Sequence, residues 1–301
     1  MSVIIVTAEE EGGRLDRLLA KRFQDRHSRT YFQYLIQENL VSLNGQPVKK
    51  RVKPKEGDEI EVNFALTPQI DVKPQPIALD ILYEDNDVIV VNKPSSMVVH
   101  PAPGNWDNTF VNALLYHCRQ LAACPGDVRP GIVHRLDKET SGVLIAAKNP
   151  ESQQNLIEQF SGRQVAKEYL AVCVGNPGSG TVSAPIGRHP VNRKKMAVRE
   201  GGKPAESHYR TLTYNEMLSY VAITPVTGRT HQIRVHMQHI GCPVLGDSVY
   251  GSASLNQKLK AERQLLHASR LSIRHPVSGK YLTFNAPIPQ DIENFILIIE
   301  K

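Results

Sequence analysis

The sequence predicts an α+β protein: a small helix-and-sheet module at the N-terminus, then a larger domain in which strands and helices mix. Three observations carry the prediction. Two helical periods and two strand alternations fit within residues 13–64. A stretch with three prolines and no period follows at residues 65–79. Beyond it, strand and helix signals succeed one another without a regular strand–helix–strand repeat, which argues against a doubly wound parallel sheet. The expected division is therefore a first domain at 1–64, a linker at 65–79 and a second domain at 80–301.

In the first domain, Leu15, Leu18, Leu19 and Phe23 recur at the spacing of one helix face. Ser28 is placed to cap a second helix, whose apolar face is Tyr31, Phe32, Leu35 and Ile36. Val41 and Leu43 alternate up to Asn44-Gly45, a strong hairpin turn. Ile60, Val62 and Phe64 alternate as a closing strand. Charge is concentrated here: between Arg14 and Lys55, eleven Lys and Arg residues face only Asp16, Asp25 and Glu38. Arg14, Arg17, Lys21 and Arg29 are expected on the polar sides of the helix pair, and Lys49, Lys50 and Arg51 follow the hairpin. Such a run is either a solvated face or a nucleic-acid surface, and the scarcity of interleaved acids favours RNA.

In the second domain, an acidic turn at Tyr83–Asp87 precedes Val88–Val91, which reads as a buried strand. Thr109–Cys118 and Glu151–Phe160 read as helices, Gly142–Ala147 and Glu168–Val174 as strands. Thr230–Ile240 reads as a helix capped by Thr230, with Ile233, Met237 and Ile240 on its apolar side and Gly241 ending it.

The chain has 301 residues, 41% apolar and 22% charged, with a net charge of +6. That composition is globular and excludes collagen-like, disordered and disulfide-scaffold classes. Apolar runs such as Val88–Val91 and Phe295–Ile299 fall far short of the ~20 residues of a membrane span. Glu9, Glu10 and Glu11 argue against a secretory signal. The four cysteines, Cys118, Cys124, Cys173 and Cys242, form no C-x-x-C pair. They are expected to be reduced thiols in a cytoplasmic compartment rather than zinc ligands. A monomer is the default expectation.

The most informative stretch is Gly131–Gly142, GIVHRLDKETSG, an apolar entry followed by a short polar loop and a strand. Arg135 and Asp137 stand two apart, so an extended backbone puts them on one side. Taken alone, the loop reads first as a polar turn in which Asp137 accepts local backbone bonds. The string is similar to the H-R-L-D-x-x-T-S-G signature of the RluA family of pseudouridine synthases. Further blocks stand in that family's order: Asn92-Lys93-Pro94 with Val99-His100-Pro101, Lys167-Glu168-Tyr169, Gly228–His236 (GRTHQIRVH), and Leu265–Ala268 with His275-Pro276. This resemblance covers about residues 80–290. Residues 13–64 resemble the S4 RNA-binding module, through Arg14–Leu19 (RLDRLL), Ser28 to Ile36, and Val41–Gly45. With Arg188-His189-Pro190, Met196–Val198 and Gly202–Ala205, the chain most resembles the family branch that acts on large-subunit ribosomal RNA.

The resemblance implies a mixed, largely antiparallel sheet with Asp137 in a basic cleft between two sheet halves. It implies an enzyme that isomerises uridine to pseudouridine in RNA, by breaking N1–C1′, turning the base and joining C5 to C1′. No electrons are gained or lost and no phosphate is cleaved, so neither a cofactor nor a metal is expected. Asp137 would act at the sugar, as nucleophile or as base. Burial alone would protonate it, so a cation is needed beside it, and Arg234 is the implied partner. Tyr169 would stack on the uracil and its hydroxyl would help remove the C5 proton. Leu266 would pack on the other side of the base. Arg135 would fill the space that the flipped base vacates. His134, Thr140, Lys167, Arg229 and His231 are the remaining implied substrate contacts. Arg188, Arg193, Lys194 and Lys195 form a second basic patch, expected on phosphate. His236 and His239 lie three apart without a further ligand at metal spacing, and nearby Arg229 and Arg234 oppose a cation. Other readings are a catalytically silent RNA-binding or ribosome-assembly factor, a synthase acting on transfer RNA, and a nucleoside or glycoside hydrolase, which would require a second carboxylate.

Overall fold

The apolar positions predicted for the first helix lie on α1 (Leu15–Arg22), which follows strand β1 (Ser2–Ile5). The second predicted helix is α2 (Arg29–Gln37). Strands β2 (Val41–Leu43), β3 (Gln46–Pro47) and β4 (Glu59–Val62) complete a four-stranded antiparallel sheet of order β1-β4-β2-β3. Asn44 and Gly45 both have positive φ, the backbone that an Asn-Gly hairpin turn requires. Leu15, Leu18 and Leu19 of α1 meet Phe32, Leu35 and Ile36 of α2 over Val41, Ile60 and Val62, one buried core. The closing strand stops at Val62, and Phe64 packs its ring on Phe23 instead.

The computed structural model describes residues 2–23, 29–49, 51–64, 72–101, 105–118, 130–192 and 195–301, which fall into two units divided at residues 71 and 72. Ser28 and Lys50 lie outside the described residues. So does the first half of the expected linker, residues 65–71. Residues 72–79 belong to the second unit. There Asn112 donates to the Lys73 carbonyl, Gln75 N–H donates to the Asn112 carbonyl, and Leu79 packs on a core. A proline-bearing strap without a period thus has its backbone polar groups paired by a neighbouring helix.

Two of the basic residues expected to face RNA in the first unit are tied inward. Arg14 forms a fork on Asp16 at 2.9 Å and 2.9 Å, and Arg29 reaches the same carboxylate at 2.8 Å. Asp16 is fully buried and also accepts from Gln33 at 2.6 Å. Burial pushes its carboxyl up, but the bonds from Arg14, Gln33 and Arg29 outweigh this and hold it at about 2. A buried carboxylate needs such partners, so Arg14 and Arg29 are structural cations. Arg17, Lys21, Lys49 and Arg51 remain exposed.

The second unit is built on a nine-stranded mixed sheet. Its elements run β5 (Ile81–Glu84), β6 (Val88–Lys93), α3 (Phe110–His117), β7 (Ser141–Ala147), α4 (Pro150–Ser161), β8 (Ala166–Val174) and β9 (Ser179–Ser183). A small hairpin follows, β10 (Ile186–Arg188) and β11 (Met196–Val198), then β12 (Glu206–Tyr214) and β13 (Leu218–Pro225). Last come α5 (Gln232–His239), α6 (Ala253–Leu259), β14 (Leu266–Arg274), β15 (Tyr281–Asn285) and α7 (Gln290–Ile299). The order is β5-β6-β7-β14-β8-β13-β12-β9, with β15 beside the far end of β14.

Only the β7–β14 pair is parallel among the described strands, and it lasts two residues, His267 opposite Ser141 and Ala268 opposite Gly142. The two sheet halves meet there. Gly142 has φ +114° and lies so close to the Ala268 backbone that a Cβ would overlap it. Only glycine permits this approach.

Strands β6 and β7 are buried on both faces, which is why they read as continuous apolar runs. Val88, Val90, Val143 and Ile145 pack with Leu156 of α4, whereas Ile89, Val91, Leu144 and Ala146 pack with Phe110 and Leu114 of α3. In the other half, Ala171, Cys173, Val221 and Ile223 pack with Ile233 and Met237 of α5. Val172, Leu218 and Tyr220 pack with Ile292, Phe295 and Ile299 of α7. Among the described residues no helix is long and apolar enough to cross a membrane.

Candidate active site

Residues 132–140 form the loop that enters β7 where the halves meet. A cavity of about 520 Å³ opens over it. His134, Arg135, Asp137, Thr140, Lys167, Tyr169, Arg229, His231, Arg234 and Leu266 all line it. Four sequence blocks thus converge, from the loop before β7, from β8, from the turn before α5, and from the start of β14.

Asp137 is the cavity's only lining carboxylate among the described residues. Its Oδ2 accepts from Arg234 Nη1 at 2.9 Å and lies 4.0 Å from His231 Nε2. Its Oδ1 accepts no hydrogen bond among the described residues. The side chain is 18% exposed. The predicted ion pair is therefore present, but it is single. The guanidinium fork goes elsewhere, to Asp247, with Nε at 2.6 Å and Nη2 at 3.0 Å. Asp247 is fully buried and also accepts from the N–H groups of Val249 and Tyr250. Burial opposes the charge on Arg234, but the bonds and charges of Asp247 and Asp137 win and raise its pKa, so it stays protonated. The Tyr250 ring lies 5.0 Å from the guanidinium carbon.

The turn that delivers Arg234 is unusual. His231, not Thr230, is the residue before α5, and it has φ 56° in the left-handed region. Non-glycine residues there are uncommon and cluster at functional sites. His231 Nδ1 lies 2.9 Å from Tyr250 Oη, which accepts from Met196 N–H. Burial lowers the His231 pKa although Asp137 pulls it up. The α5 backbone is otherwise anchored by His236, fully buried between Ser207 Oγ and the Ala184 carbonyl. A histidine so bonded is structural.

Tyr169 packs in the apolar clusters of both halves. Burial, with the Asp137 charge second, raises its phenol, so the hydroxyl stays neutral. The hydroxyl to which the resemblance assigns help in removing the C5 proton is thus the protonated phenol. The ring itself is placed to pack on a base. Leu266 is buried beside it.

Several expected substrate contacts have structural partners. His134 Nε2 accepts from Ile145 N–H at 3.1 Å and its ring stacks on Phe160. Burial lowers its pKa to about 3, so it is a neutral acceptor. Thr140 Oγ1 accepts from Gln264 at 2.7 Å, and Arg229 Nε donates to the Pro204 carbonyl. Both hold the cavity wall. Lys195 Nζ donates to the Val249 carbonyl at 2.7 Å, so its ammonium fastens the β11 hairpin rather than standing free for phosphate. Arg193 and Lys194 lie outside the described residues, and Arg188 is exposed.

Among the described residues, two clusters have metal-ligand geometry elsewhere. In Asp85, Asp87 and His275, the histidine Nδ1 accepts from Val277 and Ser278 N–H. Its Nε2 therefore carries the hydrogen it donates to Asp85 at 2.8 Å and has no lone pair for a metal. In Glu84, His117 and Cys118, the Lys148 ammonium takes one Glu84 oxygen at 2.7 Å.

Asp247 and Tyr250 were not read from the sequence as site residues. The available signal is slight: a single acid after the run Val244-Leu245-Gly246, thirteen residues beyond Arg234. Lys93, which falls within the Asn-Lys-Pro block, is fully buried, and burial pulls its ammonium down to about 7.

Comparison with known proteins agrees with this geometry. Residues 87–239 match the model of the RNA pseudouridylate synthase family. The uncharacterized RNA pseudouridine synthase YlyB of Bacillus subtilis (strain 168) is 42% identical over all of this chain and 99% of that protein. The ribosomal large subunit pseudouridine synthase D of Escherichia coli O6:H1 is 42% identical over 98% of this chain and 93% of that protein. The solved structure of human RNA pseudouridylate synthase domain containing 1 superposes with a TM-score of 0.58 at 26% identity, over 75% of this chain and 96% of that one.

Proposed function

The chain belongs to the RNA pseudouridylate synthase family, and we propose that it isomerises specific uridines of large-subunit ribosomal RNA. One observation carries the reading. Asp137 presents an unbonded carboxylate oxygen to a cavity whose remaining charged lining, Arg135, Arg163, Lys167, Arg229, His231 and Arg234, is cationic or imidazole. Arg135, Arg163 and Lys167 have no acidic partner among the described residues. Such a cavity takes an anionic polymer with one nucleotide turned inward.

The steps follow from the placement. A uridine leaves its stack and its base lies between Tyr169 and Leu266. Arg135, exposed at the mouth, occupies the vacated stack and meets phosphate. Asp137 acts at the ribose while Arg234 keeps it anionic. N1–C1′ breaks, the base turns within the cavity, and C5 joins C1′. The C5 proton departs and N1 gains one, so atoms and electrons balance without a redox partner. Neither cofactor nor metal enters the scheme. Residues 1–64 act as an S4-like RNA-binding domain that raises the local concentration of substrate through Arg17, Lys21, Lys49 and Arg51. The ribosomal substrate is supported by the relatives' names and by the basic first unit. The enzyme works as a monomer in the cytoplasm.

The test is tritium release from RNA labelled at uridine C5, with wild type beside Asp137→Asn. Release from large-subunit ribosomal RNA by wild type, absent in a folded variant that still binds RNA, is the expected result. Release from transfer RNA alone overturns the substrate assignment. Salt-sensitive binding without release from either overturns the enzymatic reading in favour of an assembly factor.

A further inference from the structure

The loop that carries Asp137 is held from behind by buried donors. Lys93 Nζ donates to the carbonyls of Pro94 at 2.6 Å, Met97 at 3.0 Å and Lys138 at 3.1 Å. Arg263 Nη1 donates to the Glu139 carbonyl at 3.0 Å. Gln264 Nε2 donates to Thr140 Oγ1 at 2.7 Å. Three consecutive residues after Asp137 are thus fixed by three side chains from two distant segments. Without them, the Lys138 and Glu139 carbonyls of this irregular loop would lose their side-chain donors.

Arg263 reaches further than the other two. Its Nη1 also donates to the Gln264 carbonyl at 3.1 Å and meets the Leu266 carbonyl at 3.4 Å. Leu266 is the residue whose side chain walls the cavity at the start of β14. The other edge of the guanidinium forms a fork on Asp291, in the first turn of α7, at 2.6 Å and 2.9 Å. A planar guanidinium bound through two nitrogens has its third nitrogen aimed by that fork. Helix α7 contributes no side chain to the cavity.

We propose that Arg263, oriented by Asp291, is a positioning residue for the isomerisation. It ties the loop of Asp137 to the strand start of Leu266, and so sets the distance between the carboxylate and a base seated on Leu266. The C-terminal helix thereby belongs to the catalytic machinery without touching substrate. This rests on the isomerase reading of the cavity. A purely structural pair between α7 and β14 would affect folding and nothing else. A positioning pair affects the chemical step and leaves RNA affinity alone.

Asp291 is the gentler place to cut, because 43% of its side chain is exposed. Asp291→Asn leaves the Arg263 guanidinium in place and weakens its fork. The single-turnover rate of tritium release is expected to fall about tenfold, with the RNA dissociation constant within about twofold of wild type. Arg263→Lys keeps the charge, but one ammonium does not serve both Asp291 and the Glu139 carbonyl, and a loss of about 100-fold is expected. In both variants, amide exchange at Lys138, Glu139 and Thr140 should quicken. A folded Asp291→Asn with wild-type rate and wild-type exchange in that loop overturns the proposal. So does a loss that falls wholly in RNA affinity. If Arg263→Lys does not fold, Asp291→Asn decides alone. If wild type itself releases no tritium, the isomerase reading fails, while the exchange data still decide whether the pair holds the loop.

Discussion

Each unit of this protein contains an aspartate bound by arginine, and the two are used in opposite ways. Asp16 in the first unit is fully buried, and its oxygens take Arg14, Arg29 and Gln33 together. Neither oxygen is left to face solvent or ligand. Asp137 in the second unit takes a single guanidinium N–H on one oxygen and turns the other into a cavity. Asp247, also in the second unit, is as buried as Asp16 and as close to Arg234 as Asp137 is. It saturates the arginine's fork, so that Arg234 keeps its place whether or not Asp137 is charged. Saturation makes a carboxylate structural, and an unused lone pair beside a fixed cation makes it chemical.

The largest break in this comparison is Asp137→Asn. Loss of the reacting group should reduce tritium release by a factor on the order of 10⁴, with RNA binding retained. Next is Asp247→Asn. An amide offers one acceptor oxygen in place of two, so the fork on Arg234 is lost. The single-turnover rate should fall by about 100-fold, and the second unit should lose about 3–5 kcal/mol, as when one partner leaves a buried pair. Thermal melting and single-turnover release measure the two effects separately. Asp16→Ala should cost the first unit a similar ~3–5 kcal/mol, seen as faster amide exchange in α1 and α2. The chemical step on a bound RNA should stay within about twofold, because Asp16 touches no group of the cavity.

The most gradual effect is in pH. Burial holds His134 at about 3 and His267 at about 4 in the folded second unit, against 6.5 ordinarily. As pH falls below 6.5 the unfolded chain takes up protons that the folded unit refuses. That unit should therefore lose stability between pH 6.5 and about 4, by at most ~1.4 kcal/mol per pH unit for each histidine. In the first unit the folded carboxylates of Glu10 and Asp16 sit at about 2, below their ordinary 4.5 and 3.8. The stability they confer is present above those ordinary values and lost as pH falls toward 2. Amide exchange followed against pH should show the second unit loosening first. Loosening of the first unit in the range of pH 6 to 5, ahead of the second, would contradict the comparison.

Much of this was legible in the residues. The periods of Leu15, Leu18, Leu19 and of Tyr31, Phe32, Leu35 place α1 and α2, and Asn44-Gly45 places the hairpin, because local turn and helix chemistry decides them. The blocks around Asp137, Tyr169 and Arg234 could be named from resemblance, and they meet in one cavity. What pattern does not reveal is where a side chain's hydrogen-bonding capacity goes. Arg14 and Arg29 look like free cations until the buried Asp16 claims them. The fork of Arg234 looks destined for Asp137 until Asp247 is seen behind it. The positive φ of His231 depends on its packing against Tyr250, which no period encodes. Long-range pairing through single buried polar groups leaves almost no trace in spacing.

Asp137 is then spare to the fold and needed only for the proposed chemistry, because the fork on Asp247 suffices to hold Arg234. Denaturant unfolding of the second unit in Asp137→Asn tests it most directly, with circular dichroism as the probe. The expected midpoint is equal to or above that of wild type, in a protein that binds RNA and releases no tritium. A midpoint lowered as far as that of Asp247→Asn would show instead that Asp137 is needed to hold Arg234 in place.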